Sequence, residues 1–287
     1  MSSTQPRVVL VTGASRGAGK GIAKAFGSLG DIVYITGRTK NEGDAPLPGT
    51  VFATAEEVTA LGGKGIAVVC DHGDDAQVEA LFKQIEEEQG RLDILVNNAT
   101  YLHDDITAKG PFWEKNIALG DIMDVGLRST YIASYHAAKI MAKQKSGFIA
   151  NTSSPGAACY MHGPAYGAQK AGTDKMTWDM AYDLKPFNVA VVSIWMGVLK
   201  TERLQLAIEA APETYGHFAE LGESPEFTGL VIDALSKDPN IMEQTGKALI
   251  GAEAALNLGV KDIDGKQPGS HRDMLGGPID FNPAVVE

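Results

Sequence analysis

Short runs of apolar, largely β-branched residues recur along the chain and are separated by longer stretches with helical spacing. Seven such runs occur, at 8–11, 32–35, 66–69, 94–96, 148–150, 189–194 and 248–250. A run that is apolar at every position is typical of a parallel strand buried on both faces. The stretches between the runs place apolar residues three and four apart, which predicts helices. These helical stretches are 19–30, 55–63, 74–90, 118–143 and 165–185.

The regular alternation of strand and helix predicts the fold class. Consecutive parallel strands joined by helices, with right-handed crossovers, form an α/β domain with helices on both faces. We therefore expect a Rossmann-type, doubly wound parallel sheet of about seven strands. Ligands of such sheets bind in the crevice at the carboxyl ends of the strands. Functional residues are accordingly expected in the loops that follow strands.

Two segments interrupt the alternation within what we predict to be one domain, residues 1–287. Residues 100–117 are inserted after the fourth strand, and residues 202–245 form a mostly helical excursion before the last strand. Long excursions in a compact domain serve as lids and binding loops, or are simply solvated surface. The sequence leaves both interpretations open, although it favours a lid for 202–245.

Composition and charge limit the kinds of partner. The chain is 44% hydrophobic and 21% charged, as in ordinary globular proteins. A net charge of -11 disfavours nucleic acid and anionic membranes, because like charges repel. The amino-terminal apolar run is too short for a signal peptide or a membrane span. Two cysteines without paired spacing and six scattered histidines predict neither a disulfide nor a metal site. A cytoplasmic protein fits these observations best.

A glycine-rich loop follows the first predicted strand. The stretch VVLVTGASRGAGKGIA contains Gly13, Gly17 and Gly19 between that strand and the start of a helix. Glycine lets the backbone approach a pyrophosphate closely, and the helix N-terminus donates N–H groups to it. The Lys-Ser/Thr ending of a nucleotide-triphosphate loop is missing, which disfavours ATP hydrolysis. The loop predicts a dinucleotide.

The end of the second strand indicates which dinucleotide binds. An NAD site usually has a carboxylate there for the ribose 2′-hydroxyl, whereas a 2′-phosphate requires a cation. Thr36 and Gly37 are uncharged, and Arg38 follows them. Arg16 in the glycine loop is a second candidate cation, and arginine suits bidentate phosphate contact. We predict NADP(H), the alternative being that both arginines are ordinary surface charges.

A tyrosine stands four residues before a lysine twice, in YHAAK at 135–139 and in YGAQK at 166–170. Residues four apart on a helix share a face, so the ammonium group favours the phenolate. Thirteen residues before Tyr166, Ser153 ends a predicted strand at the crevice. Tyr135 has no such serine and is surrounded by alanines, which is typical of a packing surface. Ser153, Tyr166 and Lys170 are therefore the candidate catalytic residues.

These motifs, taken in order, resemble the short-chain dehydrogenase/reductase family over about residues 6–201. They are TGASRGAG at 12–19, NNA at 97–99, Ser153 and YGAQK, while VGLR at 125–128, SSPG at 153–156 and DIDGKQP at 262–268 resemble one branch of the family. The resemblance implies that Tyr166 is the general acid and base of a carbonyl reduction. It also implies that Lys170 lowers the pKa of Tyr166 and holds the nicotinamide ribose, and that Ser153 polarises the carbonyl.

The resemblance also implies a set of cofactor contacts. Asp71 would bind the adenine amino group, Asn97 and Ala99 would lie beneath the adenosine ribose, and Val198 and Thr201 would meet the carboxamide and the pyrophosphate. The complete set of candidate cofactor-binding residues is Gly13, Ser15, Arg16, Gly17, Gly19, Arg38, Asp71, Asn97, Ala99, Tyr166, Lys170, Val198 and Thr201. Homodimers or homotetramers are implied in the same way.

Three positions depart from the family pattern. Gly126 stands where the family has a catalytic asparagine, Met196 where it has a proline, and Thr100 where it has a glycine. Two functions therefore remain: an NADPH-dependent reductase of small hydrophobic ketones or aldehydes, reversible as an alcohol dehydrogenase, or a catalytically weak or inactive NADP(H)-binding sensor or scaffold. Apolar residues that could wall a substrate pocket, or pack elsewhere, are Phe112, Trp113, Tyr160, Met161, His162, Leu204, Tyr215, Phe218 and Phe227.

Overall fold

The structure, a computed structural model, describes residues 5–286 and contains a single seven-stranded sheet. The strands are β1 (Val8–Val11), β2 (Ile32–Gly37), β3 (Lys64–Val69), β4 (Ile94–Asn97), β5 (Gly147–Ser153), β6 (Val189–Trp195) and β7 (Ala248–Ile250). They pair in parallel in the order β3-β2-β1-β4-β5-β6-β7. The order reverses direction beside β1, and the crevice predicted from the sequence lies there.

Helices cover both faces of the sheet. The α-helices are α1 (Gly17–Ser28), α2 (Val51–Ala60), α3 (Asp75–Gln89), α4 (Ser129–Gln144), α5 (Pro164–Leu184), α6 (Glu202–Ala210), α7 (Pro212–Tyr215), α8 (Phe218–Leu221), α9 (Pro225–Lys237), α10 (Ile241–Gln244), α11 (Gly251–Leu258) and α12 (Arg272–Leu275). Between residues 5 and 286, no helix has the length and apolar character needed to cross a membrane.

The core is divided by the sheet into two layers. Val9 and Val11 of β1 pack into one layer, while Val8 and Leu10 pack into the other. Successive side chains of a strand point to opposite faces, so a strand covered on both sides must be apolar at every position. This arrangement confirms the α/β, doubly wound fold that the apolar runs predict.

The stretch 118–143 differs from the single helix predicted for it. A 3-10 helix occupies Ile117–Met123, the backbone breaks at Gly126 with φ of 150°, and α4 begins only at Ser129. A positive φ of this size is open to glycine and strained for other residues. Hydrophobic spacing continues across the break, so periodicity alone does not reveal it.

The helical excursion at 202–245 contains two kinds of helix. Residues of α6, α7 and α8 lie near the surface, and none of them is buried. In contrast, α9 packs on α1 so closely that a Cβ on Gly21 would lie 2.2 Å from the carbonyl carbon of Pro225. Phe227 of α9 is fully buried in the core. It is therefore a core residue and does not wall a pocket.

Candidate active site

The glycine loop between β1 and α1 is tightly packed. Gly13 has a positive φ, and a Cβ added to it would lie 2.7 Å from the Cα atom of Ala99. A Cβ on Gly19 would lie 2.3 Å from the carbonyl oxygen of Gly13. Asn98 fastens the loop by donating from Nδ2 to the carbonyl oxygens of Thr12 and Gly13, each at 3.0 Å. The second asparagine of NNA, which the candidate set omits, thus shapes the loop.

The amino terminus of α1 already contacts an anionic group. The N–H of Gly17 donates to a carboxylate oxygen of Glu202 at 3.0 Å. Helix N-termini favour anions through their free N–H groups and the helix dipole. The carboxylate occupies the kind of place that a dinucleotide diphosphate would take, so the residues present fit such a cofactor. Glu202 is 185 positions from Gly17, and no local sequence pattern indicates this contact.

The two candidate cations for a 2′-phosphate differ in how they are held. The Arg16 guanidinium donates to the carbonyl oxygens of Pro48 and Gly49, at 3.0 and 2.7 Å. The side chain of Arg38 is 62% exposed, and its nearest charged partner is Asp71 at 3.8 Å. Arg16 therefore anchors the loop before α2, whereas Arg38 is available to a ligand.

Asn97 and Ala99, two further candidate cofactor-binding residues, lie at and just after the end of β4. The N–H of Ala99 donates to Oγ1 of Thr12 at 2.9 Å, which sets Ala99 against Gly13. The amide of Asn97 donates to Ser134 at 2.9 Å and to Asn151 at 2.8 Å. Because these partners are buried, the Asn97 side chain is turned into the protein. The structure does not bring its amide to the crevice.

A serine and a tyrosine meet at the end of β5. The hydroxyl oxygens of Ser154 and Tyr166 are 2.9 Å apart and share a hydrogen bond. Ser153, the serine predicted from the sequence, is fully buried. Its hydroxyl contacts the backbone carbonyl oxygen of Lys170 and the carboxylate of Asp174, both on α5. Successive side chains of an extended segment point to opposite faces. The spacing argument selected Ser153, whereas the structure places the Ser154 hydroxyl beside the phenol.

The phenol of Tyr166 lies against a glycine and a histidine. A Cβ on Gly156 would lie 2.6 Å from Cε1 of Tyr166, so only glycine allows the ring to approach the turn after β5. His162 packs edge-on against the Tyr166 ring, with centroids 5.0 Å apart. Burial lowers the pKa of His162, and the nearby Lys115 lowers it further. His162 is thus a neutral neighbour of the phenol at neutral pH.

Lys170 lies beneath the Tyr166 ring, with its Nζ atom 5.5 Å from the ring centroid. Its ammonium group donates to the carbonyl oxygen of Thr152 at 3.4 Å. Burial lowers the pKa of Lys170 to about 8, and Asp174 partly offsets that effect. Burial also raises the pKa of Tyr166, with the hydrogen bond to Ser154 acting in the opposite direction. The largest influence on the pKa of Tyr166 is thus the desolvation of the phenolate, which acts against the effect expected from Lys170.

Asp174 lies one helical turn after Lys170 and was missed by the sequence argument. It accepts hydrogen bonds from Oγ of Ser193 at 2.5 Å and from Nε1 of Trp195 at 2.7 Å. Ser153 is a third donor to this carboxylate. This buried network ties α5 to β5 and β6, and so fixes the helix that carries Tyr166 and Lys170.

The turn after β6 is fastened by Glu223. Its carboxylate accepts from the N–H of Gly197 at 3.1 Å, and its own N–H donates to the carbonyl oxygen of Val198 at 2.8 Å. Burial raises the pKa of Glu223 to about 7. Thr201 caps α6 by accepting from the N–H of Leu204 at 3.4 Å. These bonds hold the turn in place where Met196 lacks the fixed dihedral of proline.

A cavity of about 350 Å³ opens beside Tyr166. Residues of the 100–117 insertion, including Phe112 and Trp113, form much of its wall, and His162 forms the side next to the phenol. The insertion thus lines a cavity, which favours a binding loop over a purely solvated surface. Leu204 lines a separate cleft against Pro46 and Pro48.

Gly126 occupies a crowded position. Its carbonyl oxygen accepts from Nε2 of Gln169 at 3.1 Å and from Oγ1 of Thr130 at 2.7 Å. A Cβ at this position would lie 3.2 Å from Oγ1 of Thr100 and 3.2 Å from Cγ of Gln169. Thr100 and Gln169 thus fill the space that a side chain at 126 would need.

The second tyrosine–lysine pair lies on the outer face of α4. Tyr135 is 49% exposed, and Nζ of Lys139 lies 4.1 Å from its ring centroid. Tyr166 meets the Ser154 hydroxyl, whereas no hydroxyl group among residues 5–286 hydrogen-bonds to the Tyr135 phenol. Within residues 5–286, no group of three or more His, Cys, Asp or Glu residues is placed to hold a metal ion.

Comparisons with known protein families and curated proteins agree with this geometry. The family model for short chain dehydrogenase matches residues 7–211. Dehydrogenase/reductase SDR family member 1 of Mus musculus is 40% identical over 272 residues, covering 91% of this chain and 84% of the relative. Its Homo sapiens counterpart is 37% identical, with coverage of 91% and 84%. These relatives confirm the branch that the VGLR, SSPG and DIDGKQP motifs indicated.

Solved structures show the same architecture. A proposed short-chain alcohol dehydrogenase from Sinorhizobium meliloti 1021 has a TM-score of 0.70 and 25% identity, with 86% of this chain and 95% of that chain covered. A proposed dehydrogenase from Xanthomonas campestris has a TM-score of 0.75 and 24% identity, with 91% and 92% covered. The second likeness concerns the fold alone.

Proposed function

This chain belongs to the short-chain dehydrogenase family, and on that premise we propose that it reduces a ketone or aldehyde with NADPH. In the reverse direction it would oxidise the corresponding alcohol. The observation that carries the proposal is the contact of Ser154 with Tyr166, above Lys170 and beside a mostly apolar cavity. The glycine loop after β1 lies at the same carboxyl edge of the parallel sheet. Members of the family generally act on small molecules and form oligomers, so we also propose a small apolar substrate and a homodimer or homotetramer. A cytoplasmic location stays a prediction.

Tyr166 and Ser154 would act on the oxygen of the substrate. Burial keeps the proton on the phenol, which is the form needed to protonate a carbonyl oxygen. The Ser154 hydroxyl, 2.9 Å from the phenol oxygen, can bond to the same oxygen and polarise the carbonyl. Bound NADPH would supply the hydride to the carbonyl carbon, and the Tyr166 phenol would donate its proton to the carbonyl oxygen. Hydride and proton together make the alcohol.

Lys170 would stabilise the phenolate that remains after proton transfer. Its charge lies beneath the ring, and the surrounding protein excludes water. Coulombic attraction is stronger in such a site than in water, so the ammonium favours the transition state in which the phenol loses its proton. Nζ donates one hydrogen bond to the Thr152 carbonyl and would hold the cofactor ribose with its other protons.

The preference for NADPH is supported by the end of β2. No carboxylate is present at Thr36 or Gly37 to bind a ribose 2′-hydroxyl, and the exposed Arg38 follows. A guanidinium is suited to bind a phosphate in two places.

We expect purified protein to bind NADPH at least tenfold more tightly than NADH, as measured by nicotinamide fluorescence. In Arg38→Leu this preference should largely disappear, because a bond to a charged group is worth about 1.5–3 kcal/mol, while NADH affinity should change little. Addition of mixed ketones and aldehydes to the NADPH complex should then consume the cofactor signal. Tight binding without turnover would favour the sensor, and a preference for NADH would overturn the cofactor assignment.

Glu202 is expected to weaken the binding of the cofactor. Its carboxylate accepts the Gly17 N–H that a diphosphate would need, and two anions cannot share that site without repulsion. Glu202→Gln should therefore lower the Kd for NADPH by about tenfold, since about 1.4 kcal/mol of repulsion is removed. Glu209→Gln, at the far end of the same helix, is the matched control. Equal Kd values for all three proteins would show that Glu202 does not compete with the cofactor.

A further inference from the structure

The cavity beside Tyr166 contains one charged side chain. Its wall is built largely from apolar groups, and Phe112, Trp113 and Ile117 are each more than half exposed at its mouth. Lys115 is partly buried among them and lines the same cavity. None of the residues that line the cavity in the described part of the chain is a carboxylate. An apolar ligand would cover the exposed rings, and a cation would remain beside it.

Lys115 also has no carboxylate partner. Sixteen ion pairs join residues 5–286, and Lys115 takes part in none of them. Lys115 lies close enough to His162 for its positive charge to lower the pKa of that imidazole. A cavity wall that contains a lysine and no carboxylate is suited to an anionic ligand. A partly desolvated charge is stabilised by an opposite charge, which the ligand can supply.

We propose that the substrate is an apolar carbonyl compound that also carries an anionic group, such as a carboxylate, and that Lys115 binds this group. The proposal rests on the proposed reductase function, because it places the carbonyl at Tyr166 and the anion at Lys115, and both residues line the same cavity. His162 and the aromatic residues of the insertion would contact the apolar segment between the two ends. Lys115 would thus determine specificity, and the chemistry at the carbonyl would be unchanged.

The test compares each member of a series of phenyl oxo-carboxylic acids of increasing chain length with its methyl ester. Ester and acid share the carbonyl and the apolar segment and differ only in charge. For the acid whose length fits, the wild-type kcat/KM should exceed that of its ester by about ten- to a hundredfold. In Lys115→Met this advantage should vanish through a higher KM for the acid, with kcat and ester reduction nearly unchanged. Lys115→Arg should retain most of the advantage.

Lys109→Met is the matched control, since Lys109 belongs to the same insertion, is exposed and does not line the cavity. It should behave as wild type towards both compounds. Equal reduction of acids and esters by the wild-type protein, or an equal loss of both in Lys115→Met, would overturn the proposal.

Calorimetric binding of the same acids and esters separates this proposal from the proposed function. If no compound is reduced but the acids bind more tightly than their esters, and Lys115→Met removes that difference, the anion site stands and the reductase assignment fails. If esters are reduced but acids have no advantage in either binding or turnover, the reductase stands and the anion site fails.

Discussion

Replacing Tyr166 by phenylalanine is expected to lower kcat for carbonyl reduction by about a thousandfold while changing the Kd for NADPH by no more than a few fold. The substitution removes the only group in the cavity wall that both holds a proton at neutral pH and touches Ser154. General acid catalysis by a positioned side chain contributes roughly a hundred- to ten-thousandfold, which sets the size of the effect. The ring stays in place against Gly156, so the fold should be unaffected.

Tyr135→Phe is the matched control for this experiment. Tyr135 also precedes a lysine by four residues and has that lysine over its ring, but it lies on the exposed face of α4. Its replacement should leave kcat unchanged. Steady-state rates with a substrate from the carbonyl panel, together with cofactor titrations, measure both variants. A Tyr166→Phe protein that reduces carbonyls at the parent rate would refute the assignment of the general acid.

Ser154→Ala and Ser153→Ala are expected to have different effects. The first should lower kcat, and the second should lower the stability of the fold. Loss of the Ser154 hydroxyl removes the second hydrogen bond to the reacting oxygen, and loss of one such donor commonly costs a hundredfold or more in kcat. We therefore expect kcat to fall by about a hundredfold in Ser154→Ala. Ser153 touches Asp174 and Lys170 inside the protein. Its loss should leave a buried carboxylate short of a donor and lower the free energy of unfolding by about 1–3 kcal/mol, with kcat within a few fold.

The two serines are compared by single-turnover rates and by urea unfolding of the same preparations. Single-turnover kinetics isolate the chemical step from product release. A large fall in kcat for Ser153→Ala with little loss for Ser154→Ala would restore the spacing argument and reject the geometric one. Equal losses in both variants would indicate that the whole turn after β5 moves, and would also be incompatible with separate roles.

The sequence predicted the sheet well, because strands buried on both faces have a simple pattern of consecutive apolar residues. A strand such as VAVVSIW in β6 is apolar at nearly every position, and glycines mark the turn after β1. The break before α4 has no such sequence pattern, because the backbone changes at Gly126 while the apolar spacing continues. The placement of α9 was also hidden, because Phe227 has the same apolar character in a lid as in a core.

The sequence predicted which types of residue form the candidate site better than it predicted which side chains contact one another. Tyr166 and Lys170 lie together as their helical spacing requires. The choice between Ser153 and Ser154 depends on the direction of one side chain at the end of a strand, which a count of residues cannot provide. Glu202 contacts Gly17, which is 185 residues away in the sequence, and Asp174 contacts Ser193 in the protein interior. Both contacts form only in the folded chain, so the sequence does not reveal them. The direction of the tyrosine pKa depended on burial, which the spacing of Tyr166 and Lys170 does not reveal.

The bond between Glu202 and Gly17 couples the glycine loop to α6, since Glu202 is the first residue of that helix. On the proposed function, a diphosphate bound at the loop would displace the carboxylate and so release the start of α6, whose other residues line the cleft against Pro46 and Pro48. By thermodynamic linkage the effect is mutual. Any molecule that holds α6 in its present position lowers the affinity of the cofactor, and the bound cofactor lowers the affinity of that molecule by the same factor. Binding of the cofactor at the glycine loop and binding of another molecule at the surface of α6 would therefore be negatively coupled.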